Sequence, residues 1–88
     1  MPEPLPDCLR PVWDEVRRAE AKYPPFNSTH EGYAVIAEEL DELWDAVKGN
    51  DHNQAIREAV HVAAMAVRFL RDIGAEPSQA TRRQGGKA

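Results

Sequence analysis

The sequence is poor in the residues that mark several large classes of protein. A single cysteine, Cys8, excludes an intramolecular disulfide, and no apolar stretch approaches the length that spans a membrane. The first residues lack the basic start and apolar run of a secretory signal peptide, so we expect a cytoplasmic protein without membrane association. Basic residues are the minority, 11 against 15 acidic ones, and the net charge of −4 argues against binding to nucleic-acid polymers.

The composition changes along the chain and divides it into three parts. Prolines at positions 2, 4, 6 and 11 predict an extended segment over residues 1–10. Residues 75–88 turn to proline, serine, glutamine, glycine, arginine and lysine, a composition that cannot form a core, and we expect a flexible tail there. Residues 11–74 are therefore expected to form one helical domain.

Apolar residues recur every three or four positions in three stretches, which is typical of amphipathic α-helices. The helices are expected at about 11–22, 28–49 and 52–73. The second has a capping box at its start, since Ser28 is followed three residues later by Glu31. The sequence thus predicts an all-α, three-helix chain.

The apolar faces of the second and third helices predict self-association. The second helix has one continuous apolar stripe, which we expect to be its core side: Tyr33, Ile36, Leu40, Leu43, Trp44 and Val47. The third helix is apolar on two sides, and the other two helices of one chain cannot cover all of this apolar surface. We therefore expect a homodimer or a homotetramer.

Acidic residues crowd the second helix without basic partners. Residues 31–47 contain six carboxylates and neither lysine nor arginine. Five pairs of these acids lie three or four positions apart, which costs a bare helix about 1–2.5 kcal/mol. A bound divalent cation would turn this repulsive contribution to the free energy of folding into a stabilising one.

Three of the acids are placed to converge on one cation. Glu39 and Glu42 border the apolar face of the second helix, and Glu58 begins an apolar stripe of the third. The short turn at 49–51 favours antiparallel packing, which can bring the three carboxylates together. Such oxygen-rich sites suit Mg²⁺, with Mn²⁺ as a second option. The alternative, a solvated acidic helix face, remains open at this point.

These residues resemble a known family. Glu38-Glu39-Leu40-Asp41-Glu42, a spacer of fifteen residues, and Glu58-Ala59-Val60-His61 look like the motif of the MazG-type all-α nucleoside triphosphate pyrophosphohydrolases. The resemblance covers about residues 11–73 and implies hydrolysis of a nucleoside triphosphate to the monophosphate and pyrophosphate. It further implies that Glu39, Glu42 and Glu58 are metal ligands and that Glu38 is a ligand or a base. It also implies an oligomer with a four-helix-bundle core.

The chain departs from the family motif at one position, where His61 replaces an aspartate. His61 is expected to be a fourth ligand at the rim of the site, or else a polar residue on the exposed side of the helix beside Arg57 and Arg68. Two other functions stay open: an enzyme resembling phosphoribosyl-ATP pyrophosphohydrolase, and a non-catalytic helical module that binds a nucleotide or a protein. Trp13 and Trp44 are expected in the core rather than as base-stacking surfaces.

Overall fold

A computed structural model describes residues 4–74, and over this range the chain is all-α, as predicted. It forms three helices, α1 (Leu9–Lys22), α2 (Thr29–Lys48) and α3 (His52–Asp72). Among these helices none is long and apolar enough to cross a membrane. The tail expected at 75–88 and the first three residues of the expected extended segment lie outside the described residues.

Helix α1 begins at Leu9, two residues before the predicted start at Pro11. The prediction treated Pro11 as the first helical residue because proline is common there. The first four N–H groups of any helix lack an intrahelical acceptor, so a proline at the third position loses no hydrogen bond. The backbone N–H groups of Leu9 and Arg10 instead donate to the carbonyls of Pro6 and Asp7, at 3.0 and 3.1 Å.

The boundaries of α2 and α3 are set by the residues that the sequence indicates. Ser28 caps α2, its hydroxyl accepting a hydrogen bond from the Glu31 backbone N–H at 3.0 Å. Between the helices Asn50 adopts a left-handed conformation with φ of 57°. Asp51 then caps α3, its carboxylate accepting from the Gln54 backbone N–H at 3.1 Å. This short turn packs α2 against α3 as an antiparallel hairpin.

The core lies on the side of α3 that faces α1 and the loop before α2. Its buried members come from α1, that loop and α3: Val16, Ala19, Phe26, Ala64 and Met65. Helix α3 packs against both other helices. It is therefore the central element, and the side chains of its inward face are enclosed.

The apolar stripe of α2 is not buried within one chain, so the expectation that it forms the core side is wrong at this level. Four of its six members are between 48% and 70% exposed: Tyr33, Leu40, Trp44 and Val47. On α3, Ile56 and Leu70 are also more than half exposed. Periodicity identifies an apolar face but not what covers it. Here α3 packs against an adjacent face of α2, on which Gly32 and Ala46 are buried.

Candidate metal centre

Two carboxylates and one imidazole meet where α2 crosses α3. Glu39 comes from the middle of α2, and Glu58 and His61 come from successive turns of α3. His61 Nδ1 lies 3.3 Å from Glu58 Oε1 and 3.5 Å from Glu39 Oε1. One ligand atom of each residue lies within 4.8 Å of the other two. This cluster, Glu39–Glu58–His61, could hold a metal ion.

Both carboxylates of the cluster contain an unpartnered oxygen. Glu39 Oε1 and Glu58 Oε1 are buried and accept no hydrogen bond from the described part of the chain. The other oxygen of Glu58 accepts a short hydrogen bond from the Gln54 side-chain amide. The Glu58 side chain is only 9% exposed, and a buried carboxylate oxygen without a partner is costly. A divalent cation fits this donor set, because it would satisfy both oxygens at once.

The electrostatics of the site also favour a cation. Desolvation, followed by the nearby Glu42 carboxylate, raises the pKa of Glu39. Desolvation and the neighbouring Glu58 carboxylate raise the pKa of Glu42. Both shifts disfavour the ionised form, and a bound cation would offset the part that comes from the neighbouring carboxylates.

Two of the predicted site residues lie at the edge of the cluster. Glu42 is exposed and is not one of its three donors, although it is close enough to Glu58 for the two carboxylates to repel each other. Glu38 is exposed and lines a cavity of about 380 Å³ together with Glu39 and His61. The structure thus brings three of the five predicted residues together and leaves Glu38 and Glu42 beside them.

Sequence reasoning missed Glu15, which reaches the cluster from α1. Its Oε2 lies 3.9 Å from His61 Nε2, and its side chain is mostly enclosed. Arg18 donates two hydrogen bonds to the same carboxylate, at 2.9 and 2.6 Å. These hydrogen bonds are the main cause that lowers the pKa of Glu15. In the sequence an acid three residues before an arginine is an ordinary helix pair, so no local signal identifies Glu15.

Arg68 was also misplaced by the sequence analysis, which put it on the exposed side of α3. It is 3% exposed. Its guanidinium lies 4.4 Å from the ring centroid of Phe26 and donates to the Pro24 carbonyl at 3.0 Å, while its Nε is buried without a partner in the described residues. Arg68 lines the same cavity as Glu39 and His61.

His61 is not on the exposed side of α3 either. Its side chain is 34% exposed and lies between carboxylates from all three helices. Arg57, expected beside it, instead donates to the Gln54 side-chain oxygen at 3.2 and 2.6 Å. His61 is therefore partly enclosed among acids, and its role as a ligand stays a prediction.

The two tryptophans are more exposed than predicted. Trp13 is 43% exposed beneath the Arg71 guanidinium, which is 4.8 Å from its ring, and Trp44 is 57% exposed beside Lys48. Neither belongs to the core of a single chain.

The site must be interpreted from its own chemistry. Comparison of the chain with models of protein families, with curated proteins and with solved structures finds no match.

Proposed function

We propose that this chain hydrolyses a nucleoside triphosphate to the monophosphate and pyrophosphate with the help of a divalent cation. The observation that supports this most directly is the pair of buried, unpartnered oxygens of Glu39 and Glu58, which meet the imidazole of His61. Glu39 and His61 also line a cavity. Sites that bind a triphosphate combine carboxylates with a cation, because the cation links the acidic protein to the acidic substrate.

Each residue of the site has a distinct role in this proposal. Glu39, Glu58 and His61 would hold the cation, and Glu42 adds negative charge beside Glu58. A bound divalent cation neutralises phosphate oxygens and lowers the pKa of a coordinated water. The carboxylates of the sequence favour Mg²⁺ with Mn²⁺ as the second option, and the His61 imidazole among the three donors shifts that preference toward Mn²⁺.

Glu38 acts as the base in this proposal. It lines the cavity next to Glu39 but is not one of the three donors, so its carboxylate is free to accept the proton of the attacking water. The bond that breaks joins the α and β phosphates, and pyrophosphate leaves with the bridging oxygen. The cavity lies in the size range of small-molecule sites, about 300–1,000 Å³, and has space for part of a nucleotide.

The proposal includes a second copy of the chain. The exposed stripe of α2 and the outer face of α3 lie beside an open apolar groove lined by Tyr33, Ile36, Ala66, Phe69 and Leu70. Two α2–α3 hairpins that pack through this surface would make four helices, the number that a bundle core needs. A chain of this size buries a marginal core alone, and the second copy would enlarge it.

The experiment is a screen of nucleoside triphosphates and phosphoribosyl-ATP with Mg²⁺, Mn²⁺ or a chelator, measuring pyrophosphate release. We expect release that requires the cation. Glu58→Gln should lose both hydrolysis and stabilisation by the cation, which reaches about 2.7 kcal/mol at a hundred times the dissociation constant. Glu38→Gln should lose hydrolysis and keep the stabilisation.

A matched control is Asp41→Asn, an exposed acid of the same helix outside the cluster, which should keep both properties. Stabilisation by the cation without hydrolysis would instead support the non-catalytic binding module. Preferential turnover of phosphoribosyl-ATP would support the other enzyme. No stabilisation in the parent would show that the acids are merely solvated.

A further inference from the structure

We propose that Glu15 positions His61 as a nitrogen ligand, so that the cluster is a mixed carboxylate–imidazole site that prefers transition-metal cations such as Mn²⁺, Co²⁺ and Zn²⁺ to Mg²⁺. This inference rests on the cation site of the proposed function but not on hydrolysis. It assigns a role to a residue of α1, a helix that contributes none of the three donors of the cluster.

The two ring nitrogens of His61 face different groups. Nδ1 lies 3.3 and 3.5 Å from the oxygens of Glu58 and Glu39, whereas Nε2 lies 3.9 Å from Glu15 Oε2. Neutral imidazole has one N–H and one lone pair. With a cation among the cluster donors, the lone pair belongs on Nδ1 and the proton on Nε2, on the side of the Glu15 carboxylate. A carboxylate behind the second nitrogen commonly fixes the tautomer and orientation of a metal-binding histidine.

The spacing of the donors fits a single ion. Ligands at neighbouring positions of an ion with bonds of about 2.0–2.1 Å are about 2.8–3.0 Å apart in an octahedron and about 3.3–3.4 Å apart in a tetrahedron. The two distances from His61 Nδ1, 3.3 and 3.5 Å, are close to the tetrahedral range. An imidazole nitrogen suits zinc and other transition metals, whereas Mg²⁺ takes oxygen ligands and retains its waters. The donor set therefore discriminates between the two classes of cation.

Glu15 is held in the position that this role needs. The two hydrogen bonds from Arg18 fix its carboxylate, and the buried neighbours Val16 and Ala19 anchor this part of α1 to the core. At 3.9 Å the contact with Nε2 is an ion-pair distance rather than a hydrogen bond. A hydrogen bond between the two groups would require the imidazole or the carboxylate to rotate.

The first test compares cations on the full chain, without nucleotide. Metal-free protein is titrated with Mg²⁺, Mn²⁺, Co²⁺ and Zn²⁺ by calorimetry, with the visible spectrum of Co²⁺ as a reporter of nitrogen ligation. We expect the transition metals to bind more tightly than Mg²⁺. In the Zn²⁺-loaded protein, ring ¹⁵N spectra should show His61 bound through Nδ1 and protonated at Nε2. Equal or tighter binding of Mg²⁺, or an unbound His61 ring, would overturn the proposal.

The second test is Glu15→Gln, which keeps the shape of the side chain and removes its charge. Changes in groups behind a metal ligand weaken affinity by about 10–100-fold, and we expect this loss for Co²⁺ and Zn²⁺ with little change for Mg²⁺. Glu20→Gln is the matched control, because Glu20 lies on the same helix and accepts two hydrogen bonds from Arg71, at 2.7 and 3.1 Å. Equal effects of the two variants would reduce Glu15 to a structural role.

These outcomes are separable from those of the proposed function. Tight, Glu15-dependent binding of Zn²⁺ or Co²⁺ without pyrophosphate release would support the role of Glu15 and contradict the proposed hydrolysis. Mg²⁺-dependent hydrolysis that Glu15→Gln leaves unchanged would support the proposed hydrolysis and contradict the role of Glu15. The cation ranking and the ring spectra of the parent need no variant, so they decide the matter even if Glu15→Gln fails to fold.

Discussion

At the scale of single residues, the charge of Glu39 should make the metal-free protein less stable as the pH rises. Burial and Glu42 raise the pKa of Glu39 in the folded state above its unfolded value. The ionised form is therefore penalised on folding, and stability is lost as pH rises through the folded pKa. Below about pH 4.3, the ordinary value for glutamate, the acid is protonated in both states and the penalty disappears.

Glu39→Gln should accordingly raise the melting temperature of the metal-free protein at pH 7, and the gain should vanish near pH 4. Thermal denaturation from pH 4 to 8 with a chelator present measures this difference. Asp41→Asn, an exposed acid on the same helix, is expected to show a smaller gain. A variant that is less stable than the parent at pH 7 would contradict the inferred repulsion.

A second prediction at this scale concerns His61→Asp, which converts the cluster to oxygen donors alone. Mg²⁺ prefers oxygen, so its affinity should rise while that of Zn²⁺ falls. If the chain is the proposed enzyme, Mg²⁺-supported turnover should rise as well. Calorimetry with both cations and the pyrophosphate assay measure these effects. Unchanged affinity for both cations would mean that His61 is not a ligand, despite its position between Glu39 and Glu58.

At the scale of helices, the close crossing of α2 and α3 depends on Gly32. A Cβ atom there would lie 2.5 and 2.9 Å from two ring carbons of Phe69 and 3.3 Å from the ring of Phe26. Alanine is about 1 kcal/mol better than glycine inside a helix, but overpacking of a core costs about 1–3 kcal/mol. Since two rings must move, we expect Gly32→Ala to destabilise the fold.

Thermal or urea denaturation measures this loss, at about 4–8 °C in melting temperature per kcal/mol for a domain of this size. Gly49→Ala is the control, and we expect a smaller loss there, because its Cβ would have one tight contact, a backbone oxygen at 3.3 Å, and none below 3.0 Å. If Gly32→Ala melts at or above the temperature of the parent, the crossing has room that the structure does not show.

The helices were predictable because their signals are local. Ser28 marks the start of α2, and the turn over 49–51 marks the break before α3; both are confirmed. The start of α1 was placed late because proline is tolerated throughout the first turn, not only at its first position. The burial of α2 was predicted wrongly because it depends on the angle at which α3 packs, which the sequence of α2 alone does not determine.

The candidate site was predictable where its signals are local in the sequence. Glu39, Glu58 and His61 belong to two helices joined by a short turn, so spacing on each helix and antiparallel packing were enough to bring them together. Glu15 and Arg68 take part through contacts with α1 and with the loop before α2, far away in the sequence. No local pattern reports such contacts, and the roles of the residues remain predictions.

At the scale of the whole molecule, the exposed apolar surface should hold two copies of the chain together. Leu40 and Leu70 are 53% and 64% exposed, and a glutamate at either position would be buried unpaired in a dimer. We expect Leu40→Glu and Leu70→Glu to give smaller particles in light scattering and in sedimentation. Substitutions at Met65 are less informative, because this residue is buried within one chain and its loss would unfold the monomer.

Ala21→Glu, at an exposed position of α1, is the control and should leave the assembly unchanged. The parent should remain an oligomer at micromolar concentration. A parent that is a folded, cooperatively melting monomer at that concentration would refute the assembly, and the apolar stripe would then need another explanation.

The placement of the cluster within a single helix hairpin has a consequence for the time course of folding. Glu39, Glu58 and His61 are at most 22 residues apart along the chain, and the turn between their helices has three residues. Closing so short a loop costs little chain entropy, and hairpins rich in local contacts form early. The ligands should therefore meet before α1 docks. We expect a divalent cation mainly to accelerate refolding, with a smaller effect on unfolding, because it can bind while the domain is still only partly assembled.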